Sequence, residues 1–178
     1  VAPARRGAAD PITRRAALTS AAVVLPVVVV VALPPAALGS YAAARRSTLV
    51  TAGGFGSSSE AIASGDVTLF DVAGAFRSDA AMRALVARAG TEVSFVGFVN
   101  RSEGMPADEF LLTRFLVSCC AADALSVQVR IVGAPPGRFR RDDWVRATGA
   151  IYPLGTEVIV DASEVVAVAR PEHPYLGT

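Results

Sequence analysis

Between Ala16 and Ala44 the chain carries no Asp, Glu, Lys or Arg. A helix of 18 or more such residues is long enough to span a hydrocarbon layer of about 30 Å. Mean hydropathy is +0.45 and hydrophobic content 52%, and the excess is concentrated in this run, which points to a membrane segment rather than a greasy core. Its densest part is Val23–Leu33. Pro26 would kink a helix there, which bilayer helices tolerate when neighbouring groups re-satisfy the freed carbonyl. Pro34 and Pro35 mark the end of the regular part. Residues 16–44 are therefore read as a transmembrane helix behind a basic N-terminal segment, residues 1–15. A cleaved signal peptide is the rival reading, with Leu38-Gly39-Ser40 or Ala42-Ala43-Ala44 as cleavage sites, but the run is long for that role. Arg5, Arg6, Arg14 and Arg15 precede the span, and only Arg45 and Arg46 follow closely. That asymmetry predicts an inside N-terminus and an extracytoplasmic C-terminal domain, single-pass in the cell membrane.

Residues 45–66 hold six glycines or serines between Gly53 and Ser59 and no hydrophobic period, the pattern of a flexible linker or a loosely packed lead-in. The soluble domain is expected over residues 67–178. Val67–Val72 reads as a short strand or an apolar latch. Ser78 is placed as an N-cap before Asp79, with Met82, Leu85, Val86 and Ala89 forming an apolar stripe and Gly90 ending the helix. From Glu92 the period changes to two. Strands are expected over Val93–Val99, Phe110–Cys120, Leu125–Ile131, Trp144–Ile151, Glu157–Asp161 and Glu164–Ala169, with turns at Gly133–Gly137 and Tyr152–Gly155. Gly97 and Gly149 fall inside strands, where a small barrel needs bends. The fold class is mainly β, a small antiparallel OB-like barrel preceded by one short helix. One departure from that fold is visible: Gly133–Asp143 is too short and too rich in Pro and Gly for a helix between strands three and four.

Chemistry-bearing residues are few. Net charge is +1, with one histidine and two cysteines, so no global field attracts nucleic acid and little material exists for a metal cluster. The patterns for nucleotide-binding loops, nucleophile elbows and metalloprotease helices are absent, and no enzyme is expected. The candidates gather at the end of the second strand, where Cys119 and Cys120 are adjacent. In a straight strand Cys119 shares a face with Leu111, Phe115 and Val117, and Cys120 with Arg114 and Ser118; only a bulge or turn presents both thiols to one ion. Three readings stay open: a zinc ion held by Cys119, Cys120, Asp123 and His173, four ligands without paired CxxC spacing; a redox-active thiol pair; or two buried, inert side chains. Arg114, in mid-strand, either is solvated at an edge or pairs with Asp123, Asp143 or an anionic partner. Trp144, Phe139 and Tyr152 lie near the basic loop Arg138-Arg140-Arg141, whose field Asp142 and Asp143 blunt.

Val96-Gly97-Phe98-Val99, Phe110–Phe115, Cys119-Cys120-Ala121-Ala122-Asp123-Ala124, Asp143-Trp144-Val145 with Thr148-Gly149, and Pro174-Tyr175 together resemble the YcgQ family of bacterial membrane proteins, described as permease subunits. The resemblance runs from about Leu38 to Leu176. It implies further transmembrane sequence upstream of Val1. It also implies a partner, a separately encoded multi-spanning permease of the YcgR type. The chain is accordingly expected to be a membrane-anchored accessory subunit, with Cys119, Cys120, Asp123, Arg114 and Trp144 as its ligand or partner site. A metal-binding or redox-sensing module is the alternative.

Overall fold

The computed structural model describes residues 39–45, 59–117 and 124–176. Four short helices, α1 (Ser40–Arg45), α2 (Ser59–Ser64), α3 (Leu69–Ala75) and α4 (Asp79–Val86), precede six strands, β1 (Glu92–Asn100), β2 (Phe110–Leu116), β3 (Leu125–Val132), β4 (Trp144–Leu154), β5 (Glu157–Ala167) and β6 (Tyr175–Leu176).

Five of the strands close on one another. β1 pairs with β2 and β4, β2 with β3, β3 with β5 and β5 with β4, and the ring they form is the expected OB-like barrel. It is not purely antiparallel, because β3 and β5 run parallel over Arg130–Val132 and Ile159–Asp161. The long return through β4 delivers β5 to the far side of β3 in the same direction. The stretches expected as two separate final strands are one, β5. Val158 and Val160 are buried, then Val165, and the phase changes because the ladder skips Ser163: Gly149 faces Ala162 and Thr148 faces Glu164. This bulge sits on Gly149, where a Cβ would lie 2.0 Å from the Asp161 carbonyl oxygen. Gly97 makes the other close approach, a Cβ there falling 2.6 Å from Leu112 Cδ2 and 2.8 Å from the Thr113 carbonyl. Both glycines lie where β-strands cross closely, as the barrel reading required.

Ser78 caps α4, accepting the Ala81 N–H at 3.3 Å, and Gly90 turns the chain with φ +81°. The buried stripe of α4 is Ala81 and Leu85, with Met82 packed beside them, whereas Val86 is half exposed. Two readings are corrected. Val67–Val72 is not a strand, though Val67, Leu69 and Val72 do bury their side chains in the main core. Thr68 and Asp71 form a capping box, Asp71 N–H to Thr68 Oγ1 and Thr68 N–H to Asp71 Oδ2, and that reciprocal satisfaction of orphan donors starts helix α3. Part of the stretch read as linker also belongs to the folded body: Ser59–Ser64 is helical and Ile62 is fully buried in the main core. Ile62 supplies a burial of about 1.5–3 kcal/mol, and Arg88 Nη1 adds a hydrogen bond to the Ala63 carbonyl at 3.3 Å.

The core fills the barrel and continues under the helices, with Phe95, Phe110, Leu112, Val129, Ile131, Val145 and Ile151 at its centre. Phe139 plugs one end, edge-on to Phe110 at 6.4 Å, and is therefore not a surface stacking residue. As expected, no helix interrupts Gly133–Asp143. Among the described residues no helix is long and apolar enough to cross a membrane. Most of the expected span lies outside them, and its last residues, from Ser40, form α1.

Candidate functional site

On the outside of the barrel a second apolar cluster gathers elements that the core does not use. Phe98 of β1 and Phe115 of β2 point away from the interior, with ring centroids 5.7 Å apart. Trp144, at the start of β4, meets Phe98 edge-on at 5.9 Å. Ala43 of α1, Val117 and Ala124 are buried in the same cluster, with Ala42 and Tyr175 packed against it. Period-two alternation explains the outward rings: on β2, Phe110, Leu112 and Leu116 go to the core and Phe115 to the opposite face.

Beyond Ala43, one side chain of the barrel pins helix α1 to this cluster. Asp142 accepts the Ser40 N–H on Oδ1 at 2.6 Å and the Ser40 hydroxyl on Oδ2 at 2.9 Å. Both carboxylate oxygens therefore hold the first residue of the helix. Asp142 adopts φ +68°, uncommon for a residue with a Cβ. Its own N–H donates to the Val99 carbonyl, and Asp143 returns a carbonyl to the Val99 N–H, each at 2.9 Å. The backbone is thus clamped on both sides of the unusual residue. Gly39 fits against the same carboxylate, since a Cβ there would meet Asp142 Oδ1 at 2.7 Å.

Arg114 holds the other chain end. Its Nε donates to the Pro174 carbonyl at 3.2 Å, and Nη2 to the carbonyls of His173 at 2.5 Å and Tyr175 at 3.4 Å. Partial burial holds its guanidinium below the ordinary arginine range by desolvation, yet it stays a cation. Arg114 is thus neither a freely solvated edge residue nor the partner of Asp143, whose carboxylate accepts the Arg140 N–H at 2.7 Å. The clamp seats β6 parallel to β2, with Phe115 opposite Tyr175 and Leu116 opposite Leu176.

Of the residues expected to form the site, Arg114 and Trp144 border this one cluster, through Tyr175 and Phe98. Cys119, Cys120 and Asp123 lie outside the described residues, but the residues on either side of their segment, Val117 and Ala124, are both in the cluster. His173 is exposed. Among the described residues no three His, Cys, Asp or Glu side chains gather as a metal site. The Ser40–Asp142 contact was missed by sequence reasoning. A Gly-Ser at the end of an apolar run followed by a short helix was its one local signal, and the partner lies 102 residues away.

No curated protein matches the chain. Among solved structures it is similar to OBody AM1L10 bound to hen egg-white lysozyme, at 21% identity, covering 48% of this chain and 86% of that one with a TM-score of 0.31. It is also similar to OBody AM3L15 bound to hen egg-white lysozyme, at 21% identity, covering 47% and 85% with a TM-score of 0.32. The profile of the DUF1980 C-terminal domain matches residues 82–176, from the buried turn of α4 through β6, and the chain belongs to that family.

Proposed function

We propose that this chain is a membrane-tethered binding module, the accessory subunit of an integral-membrane permease. On the resemblance to the YcgQ family, that permease is of the YcgR type. Its barrel works at the extracytoplasmic face, and the flank where α1 and the tail cover Phe98 and Phe115, with Trp144 at its edge, is the surface that meets the partner. Cys119, Cys120 and Asp123 join that surface, with Arg114 positioning the tail beside it.

The observation that supports this reading best is the attachment of α1. The helix is formed by the last residues of the apolar run, and Asp142 binds its first residue. A tether that ended in a free linker would leave the barrel loosely leashed; one that docks on the barrel restrains the module it carries. A small apolar cluster shared by the docked tether, the tail and the residues flanking the cysteines is suited to sensing or transmitting contact with a membrane partner.

The test is a crosslinking pull-down of the tagged full chain from native membranes, comparing wild type with the Cys119→Ser/Cys120→Ser variant. Recovery of a multi-spanning permease by the wild type supports the accessory role, and its loss in the folded double variant assigns the cysteines to the working surface. Absence of any permease under every crosslinker overturns the subunit reading. The rival use of the thiols, as zinc ligands or a redox pair, predicts bound zinc or reversible thiol oxidation in the full chain without a partner.

A further inference from the structure

The ladder of the barrel narrows at two seams, and the described residues fill only one of them. β1 and β2 pair over Phe98–Asn100 and Leu111–Thr113. Beyond that, β6 takes the free side of β2 at Phe115 and Leu116, clamped by Arg114. The second seam separates β3 from β5, which pair only over Arg130–Val132 and Ile159–Asp161. Past Val132 the chain leaves the sheet at Gly133, with φ +75°, and turns through Pro135, Pro136 and Gly137. β5 continues to Ala167, paired with β4 alone among the described residues.

The phase of the β4–β5 ladder says which groups are left over. The Val168 N–H donates to the Trp144 carbonyl at 2.9 Å. Antiparallel pairing alternates, so Val166 and Glu164 turn their N–H and C=O groups to β4, while Val165 and Ala167 turn theirs to the open side. That side is a cleft of about 320 Å³ between β5 and the loop, lined by Gly133, Pro135, Arg138 and residues 162–166. Prolines 135 and 136 have no N–H to offer the edge. Arg138 lies over the Phe139 ring, 5.5 Å from its centroid, and has no ion-pair partner among the described residues.

We propose that this edge takes up an extended peptide segment of another protein as an added strand, with an acidic side chain on Arg138. Donor and acceptor groups repeating every second residue, about 6.8 Å apart, match the backbone of an extended chain. The guanidinium of Arg138 at the lip attracts an acidic side chain on the loop side, while Glu164, which also lines the cleft, disfavours one beside β5, so the preference depends on position along the peptide. A second copy of β5 is the poorer fit, because the edge is recessed behind the Pro135–Arg138 loop, and symmetric pairing would bring two such loops into the same space. The inference rests on this seam alone and holds whether or not the protein's partner is a permease.

The test uses the full chain and amide hydrogen exchange resolved by residue. In the free protein the Val165 and Ala167 amides exchange at least tenfold faster than those of Glu164 and Val166. The probes are eight-residue peptides of alternating Thr and Val carrying one Glu, stepped through the positions, with a matching Lys set. The best Glu peptide protects Val165 and Ala167 and binds about three- to tenfold tighter than its Lys counterpart. Arg138→Ala abolishes that preference. Ala167→Pro, which removes a cleft-facing N–H and leaves the β4 bonds intact, weakens binding of the whole panel. Protection of Val165 and Ala167 in the free chain, or no binding by any peptide at about 1 mM, overturns the proposal.

Discussion

Replacing Asp142 by glycine separates local attachment from global stability. The aspartate accepts two hydrogen bonds from Ser40, at 2.6 and 2.9 Å, in a partly buried setting. Hydrogen bonds to a charged group contribute about 1.5–3 kcal/mol each when buried, and nearer 1 kcal/mol where water competes, so the pair holds α1 by roughly 2–3 kcal/mol. Against this, a non-glycine residue at φ +68° carries about 1 kcal/mol of backbone strain that glycine relieves. In Asp142→Gly the barrel is therefore expected to keep its stability to within about 1 kcal/mol, while α1 is released. The readouts are independent. The Ala43 N–H, bonded to the Gly39 carbonyl at 3.0 Å, loses its exchange protection. The chain's only tryptophan, Trp144, shifts its emission to the red as the cluster opens. A double-mutant cycle of Ser40→Ala with Asp142→Ala should give a coupling of about 1–2 kcal/mol, measured by denaturant unfolding. A coupling below about 0.3 kcal/mol, or unchanged Ala43 protection in Asp142→Gly, would refute the latch.

Three further substitutions probe the frame around it. Gly149→Ala places a Cβ 2.0 Å from the Asp161 carbonyl, and the forced shift of β5 should cost more than about 3 kcal/mol or prevent folding, as seen by circular dichroism melting. Arg114→Met keeps much of the side chain's bulk but removes three bonds to residues 173–175; the tail should become a site of limited proteolysis, with a loss of about 1–3 kcal/mol. Ser126→Ala should be neutral or stabilising by up to about 1 kcal/mol, because the buried Ser126 hydroxyl has no hydrogen-bond partner among the described residues and its removal ends an uncompensated desolvation.

Alternation made the barrel readable. Val127, Val129 and Ile131 of β3 are buried as their period-two spacing demands, and the close crossings at Gly97 and Gly149 followed from glycines set inside strands. What stayed hidden was set by partners distant in the chain. A single bulge at Ser163 reverses the buried phase, so one strand reads as two. The Thr68–Asp71 box was legible in principle, but the Val67–Val72 run masked it with apolar side chains suited to a strand. Ile62 looked like one hydrophobe in a Gly/Ser tract, and nothing local shows that a core has room for it. At the site, Trp144 could be ranked because a single tryptophan beside a charged loop stands out. The role of Arg114 could not be read, since its three acceptors are backbone carbonyls 59–61 residues away, and every residue type carries a carbonyl.

The outer cluster has a further consequence. It is small, built from two phenylalanines, a tryptophan edge and alanines, and it is covered by α1 on one flank and the tail on another. Besides the buried Ala43 of the helix and the two-residue β2–β6 ladder of the tail, polar contacts to one side chain hold each of them, Asp142 for the helix and Arg114 for the tail. Such attachments open locally at a fraction of the free energy that unfolds the barrel. Phe98 and Phe115 touch each other, so uncovering either flank changes the surroundings of the other ring and of Val117 and Ala124. Helix α1, the C-terminal tail and the residues bordering the cysteines therefore share one packing unit.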